Sequence, residues 1–256
     1  MDPERAVSVE RLSNSTMSVE LDRPPGNILD ACMTLELTAL FESLAEEREV
    51  SAVILSGAGT HFSYGASVEE HRAAEVAEML RRFHQLFRTI AKSGVVLLAA
   101  VRGQCLGGGL ELASFAQRVF STDDARFGQP EIALGVFAPV ASLFLHDRVG
   151  RGTADELLLS GRIIGAEEAH ALGLVDELAV NPKLAAAAWI EHSLAAHSVS
   201  SLRLATRAAR FEAMQRFEAS IAGIEALYLD ELMRTHDATE GIEAFLGKRK
   251  PEWRDR

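Results

Sequence analysis

Seven consecutive apolar residues, Val95–Val101, are followed closely by a glycine triplet, Gly107–Gly109, and then by a stretch that reads as helical, Leu110–Ala116. A strand that is apolar on both faces has to be covered on both sides. That requirement selects a layered α/β arrangement over an open antiparallel sheet. The run is strand-length, well short of the ~20 apolar residues that cross a bilayer. The triplet marks a point where the backbone can turn sharply and let another group approach closely.

The flanking segments extend this pattern. Val7–Leu12 and Met17–Asp22 alternate like the two arms of a hairpin, and Pro24-Pro25-Gly26 reads as a turn. Apolar spacing predicts a helix over Ala31–Leu44 with Asp30 as its N-cap, a buried strand at Val53–Leu55 and a long helix over Ala74–Ile90. A short strand is expected around Val119–Ser121. From Pro139 onward the chain reads as mainly helical, apart from a strand at Leu174–Val180. The expectation is an α/β core over residues 1–195 with a helical region over 196–256.

Composition narrows the function classes. The chain has 256 residues and a net charge of −11, which disfavours nucleic acid as a partner because polyanion binding needs a dense basic face. Two cysteines, Cys32 and Cys105, lie far apart without CxxC spacing, so neither a disulfide framework nor a metal site is expected. Met1–Arg5 lacks the basic start and apolar run of a signal peptide, and the expected location is the cytoplasm, with no membrane partner. There is no GxSxG, no GxxxxGK[ST] and no HExxH, and the triplet is not a GxGxxG fingerprint. No metal or redox cofactor is expected.

What remains is a pattern of backbone amides and carboxylates. The first turn of a helix leaves N–H groups unpaired, and these can stabilise an oxyanion. Glu111 lies one turn into the helix that follows the triplet, and Glu131 follows Pro130 where a strand gives way to a loop. Two carboxylates in one pocket beside N–H donors can hold and activate a water molecule. Taken singly, Glu111 is as easily an acid favoured by the helix dipole, and Glu131 a solvated loop charge.

Their combination resembles the crotonase, or enoyl-CoA hydratase/isomerase, family over nearly the whole chain. The residues carrying the resemblance are Leu21–Asn27 (LDRPPGN), His61–Ser67 (HFSYGAS), Gln104–Ala113 (QCLGGGLELA), Phe127–Ile132 (FGQPEI), Gly161–Val175 and Glu240–Trp253. The resemblance implies a crotonase-like ββα-superhelix core and a C-terminal helical region, 196–256, that serves oligomerisation. It further implies an acyl-CoA substrate, coenzyme A being part of that substrate rather than a cofactor, and a homotrimer or a hexamer of two trimers.

Carried over position by position, the family pattern places the oxyanion hole at the Ala66 and Gly108 N–H groups and the catalytic carboxylates at Glu111 and Glu131. Coenzyme contacts fall on Arg23, Pro25, Gly26, Ser63, Gly65, Ala66, Ser67, Phe245 and Lys248, the last two reaching a neighbouring subunit's coenzyme. Two departures stand out. Ser67 occupies a position where the family often has Asp. Gly135–Ser142 reads GVFAPVAS where hydratases commonly have a glycine-rich segment, so Phe137 and Pro139 are expected to reshape the acyl pocket. The pairing of HFSYGASVEEH with PEIALGVFAPVAS most resembles the subgroup that hydrates cyclohexa-1,5-diene-1-carbonyl-CoA. General enoyl-CoA hydration, double-bond isomerisation, thioester hydrolysis and non-catalytic binding remain alternatives.

Overall fold

The computed structural model describes residues 5–255. Strands β1 (Val7–Arg11) and β2 (Thr16–Leu21) form the expected antiparallel hairpin, with Val7 opposite Leu21. Helix α1 (Ala31–Glu46) starts at Asp30, whose side chain accepts a hydrogen bond from Met33 N at 2.9 Å. Strand β3 (Ala52–Gly57) pairs in parallel with β2, helix α2 covers Val76–Ser93, and β4 (Val96–Val101) pairs in parallel with β3.

The central strands justify reading Val95–Val101 as buried on both faces. Val53, Leu55, Leu97, Ala99 and Val101 point into the main core. Their alternates Ala52, Ile54, Val96, Leu98 and Ala100 join a second cluster on the opposite face. A strand's period of two sends neighbours to opposite sides, and every one of these residues is buried. Each large aliphatic side chain so buried contributes roughly 1.5–3 kcal/mol.

The chain continues through β5 (Gln104–Leu106), α3 (Gly108–Ser114), β6 (Arg118–Ser121) and β7 (Arg126–Gly128). A 3₁₀ turn, Pro130–Leu134, leads to α4 (Ala141–Val149) and α5 (Arg151–Ser160). Then follow β8 (Ile163–Gly165), α6 (Ala166–Ala171), β9 (Glu177–Leu178) and α7 (Pro182–Ser193), which supplies Ala186 and Ile190 to the second cluster. The last part is helical: α8 (Val199–Ala209), α9 (Phe211–Ala226), a π-helical turn at Leu227–Glu231 and α10 (His236–Leu246).

Six strands form one sheet in the order β1-β2-β3-β4-β6-β9, and β5, β7 and β8 form a smaller one. The smaller sheet was not expected, because three-residue strands are too short to show a period. The strand expected over Leu174–Val180 shrinks to Glu177–Leu178. Its first apolar residues close α6 instead, the amides of Leu174 and Val175 both donating to Ala169 O.

A row of rings ties the helices around the site together. Phe83 and Phe87 of α2, Phe115 just after α3, Phe144 of α4 and Phe217 of α9 follow one another at centroid distances of 5.1, 5.1, 5.0 and 5.5 Å. Such pairs contribute roughly 0.5–1.5 kcal/mol each beyond area burial. They fix α3 and α4 against α2. Among the described residues no helix is long and apolar enough to cross a membrane.

Candidate active site

The glycine triplet and the His61–His71 loop meet at the entry to α3. Gly65 adopts φ +103° and Gly107 φ +50°, values that L side chains rarely take. A methyl group built on Gly65 would lie 2.9 Å from Leu106 O, and one on Gly108 would lie 3.1 Å from Ala66 N. The two backbones therefore run almost in contact. Neither Ala66 N nor Gly108 N donates to another group among the described residues. The two N–H groups expected to form an oxyanion hole are therefore adjacent, and that of Gly108 lies at a helix start.

The loop is held by side chains that spend their polar atoms on it. Asn27 is fully buried and donates to Ala58 O, His61 O and Phe62 O while accepting from Arg23 N. Ser63 Oγ donates to Asn27 O at 2.8 Å and accepts from Gly65 N at 3.0 Å. Glu70 accepts from Ala31 N at 2.8 Å and pairs with Arg82 at 2.6 Å, tying the loop to α1 and α2.

Both carboxylates reach the same narrow cavity of about 60 Å³, together with Gly65, Ala66, Gly108, Phe137 and Pro139. Glu111 is 4% exposed and accepts from Ala141 N at 2.7 Å. That amide opens α4, so the GVFAPVAS segment does more than line the cavity with Phe137 and Pro139. It also brings a helix N-terminus onto the buried carboxylate. Glu131 sits in the 3₁₀ turn after Pro130 and is half-buried. With its amide oriented toward Glu131, Gln129 donates to both carboxylate oxygens at 3.1 Å.

Burial pushes the Glu111 carboxyl up to about 7, against the lowering effect of its backbone donors. Burial and the negative charge of Glu111 push Glu131 up to about 8. Two carboxyls that share a cavity titrate as a pair, and burial together with their mutual repulsion favours keeping a proton on it.

The cavity opens into a groove of about 490 Å³. Tyr64, Val68, Pro130 and Leu134 line both, and Leu106, Phe245, Arg249 and Pro251 extend the groove outward. Phe245 lines the groove of its own chain. Lys248 does not line it; the groove's cation is Arg249, held at 2.5 Å by Glu240. The Ser63 hydroxyl is consumed by the loop, and the Ser67 carbonyl is consumed by His71. Arg23 pairs with Asp30 at 3.3 Å, and neither it nor Pro25 lines the groove. Gly26 acts through Tyr64, whose amide donates to its carbonyl at 2.8 Å.

His71 and Tyr228 line the cavity too, and neither was singled out from the sequence. His71 Nδ1 lies 2.7 Å from Ser67 O. A carbonyl only accepts, so Nδ1 carries the proton and Nε2 is left as an acceptor. Burial pushes this imidazole's pKa down and keeps it neutral. A larger cleft, about 810 Å³, lies elsewhere, between α2, α8 and α9, and contains neither carboxylate nor the amide pair.

The profile of the enoyl-CoA hydratase/isomerase family matches residues 11–256. The chain belongs to that family. It is 48% identical to the cyclohexa-1,5-dienecarbonyl-CoA hydratase of Thauera aromatica over 94% of each chain. It is 32% identical to the 2,3-dehydroadipyl-CoA hydratase of Escherichia coli K12 over 92% of this chain and 94% of that one. An enoyl-CoA hydratase structure from Mycobacterium avium subsp. paratuberculosis superposes with a TM-score of 0.85 at 25% identity, covering 99% of this chain and all of that one. The enoyl-CoA hydratase/isomerase fold therefore carries this site on its crotonase-like core.

Proposed function

We propose that this protein is a hydro-lyase that adds water to a conjugated acyl-CoA thioester, with cyclohexa-1,5-diene-1-carbonyl-CoA as the substrate. The observation that carries the reaction type is the pair of carboxyls with raised pKa values in one cavity beside two unspent N–H donors. The thioester oxygen accepts from Ala66 N and Gly108 N, which favour the enolate as charge moves onto that oxygen. The ionised member of the pair takes a proton from water as the oxygen bonds to carbon. The protonated member gives its proton to the other carbon. One proton enters the pair and one leaves, so the site ends with the charge it began with. General acid–base help of this kind accounts for roughly 10²–10⁴-fold in rate.

Two facts support the ring substrate. Similarity to the dienoyl-CoA hydratase, at 48%, stands well above the 32% to the dehydroadipyl-CoA enzyme. The cavity wall also carries the bulky Phe137, packed on Tyr228 at 4.9 Å, in the segment where family hydratases commonly have glycines. Parallel incubation with the cyclic dienoyl thioester and a linear enoyl thioester tests this choice; faster turnover of the linear one overturns it.

Assembly into trimers or trimer pairs through residues 196–256 is part of the same proposal. It is supported by Leu204 and Phe211, which are 63% and 64% exposed beside the large cleft. Sedimentation velocity tests it; a monomer would overturn it.

A further inference from the structure

The sequence holds two tyrosines, Tyr64 and Tyr228, and both line the catalytic cavity. Tyr64 is 43% exposed and stands where the cavity meets the groove. Tyr228 differs in every respect. It is fully buried, and its hydroxyl has no hydrogen-bond partner among the described residues. Buried phenols normally bond to something, so an unspent one calls for an explanation.

The residue lies in the π-helical turn Leu227–Glu231, and such widened turns recur at functional positions. Its ring stands edge-on against Phe137 at 4.9 Å and belongs to an apolar cluster with Met79, Val136 and Ile242. The ring is therefore clamped, and only the hydroxyl is left over. The negative charges of Glu131 and Glu111 add to burial in holding the phenol protonated, so it remains a donor at neutral pH. It shares the cavity with both carboxylates and bonds to neither, which leaves a place for a third polar atom among them.

We propose that Tyr228 is a further catalytic residue whose hydroxyl donates a hydrogen bond to the oxygen being added to the acyl group. That atom is water before the reaction and the ring hydroxyl after it. The phenol keeps its proton throughout; it orients the oxygen that the carboxylate pair activates and recognises the hydroxylated product. This inference rests on the hydration reading above.

The test is Tyr228→Phe, which removes one oxygen and keeps the ring contact with Phe137. Because the hydroxyl has no protein partner, the thermal midpoint should stay level or rise. Calorimetric titration of both proteins would use a hydroxycyclohexene-carbonyl-CoA and the cyclohexene-carbonyl-CoA that lacks the hydroxyl. The wild-type protein should prefer the hydroxylated thioester, and the variant should lose that preference by about tenfold, the loss of one hydrogen bond. Its kcat should fall about 10- to 100-fold with little change in KM. Equal binding of the two thioesters by the wild-type protein, or an unchanged preference in the variant, would overturn the assignment. Binding without any hydration by the wild-type protein would instead overturn the hydration reading, and with it the catalytic role of Tyr228.

Discussion

A methyl group on Gly107 would lie 2.8 Å from the Glu131 Oε1 atom. The glycine triplet therefore does two things at one position. It permits φ +50° and ψ −129°, and it leaves the space into which the second carboxylate fits. Gly107→Ala should lower kcat by about 10²-fold, because displacing a reacting group by an ångström carries that scale of penalty. Steady-state kinetics checks this; a variant with wild-type kcat would show that the close approach is incidental.

Glu111→Gln and Glu131→Gln should each reduce turnover by roughly 10²–10⁴-fold while leaving affinity for the acyl-CoA thioester near that of the wild-type protein. Gln keeps the size and the acceptor oxygen but cannot take or give the proton. Kinetics together with calorimetric binding separates the two effects. Retained turnover in both variants would remove the two-carboxylate mechanism.

The same pair makes stability depend on pH. Both carboxyls have folded-state pKa values above the ordinary 4.5, at about 7 and about 8. A raised value means that the folded state binds the proton more tightly than the unfolded chain. The resulting stabilisation is fully present below the unfolded value and is lost as pH rises through about 7 to 8. The thermal midpoint of Glu131→Gln should therefore exceed that of the wild-type protein by more at pH 9 than at pH 5. Equal differences at the two pH values would contradict the raised pKa values.

Asn27→Ala should destabilise the fold by about 2–4 kcal/mol, because it strands several buried carbonyls at once. Asn27 also holds φ +43°, which alanine tolerates poorly. Denaturant titration gives the magnitude. Activity should fall with it, since the loop that Asn27 ties down carries Ala66. A change under about 0.5 kcal/mol would show that the loop is held elsewhere.

Much of this was legible in the chain itself. A continuous apolar run has one structural meaning when a turn signal and a helix follow, and so the β4 and α3 unit was readable. The carboxylates and the amide pair were readable because their order along the chain matches a family pattern. Tyr228 and His71 were not. Each is separated from the carboxylates by long stretches of chain, and only the packing of α2, the π-helical turn and α10 over the cavity brings them in. Arg249 was overshadowed by its neighbours, since a run of basic residues does not reveal which one lines the groove. The role of GVFAPVAS as the anchor for Glu111 was hidden too, because it works through a backbone amide that any residue but proline could supply.

The most direct test of the central claim is mass spectrometry of the purified protein incubated with cyclohexa-1,5-diene-1-carbonyl-CoA, with crotonyl-CoA in parallel. The expected result is a gain of one water on the cyclic diene and little change in the linear thioester. An unchanged cyclic diene in the presence of folded, thioester-binding protein would contradict the account.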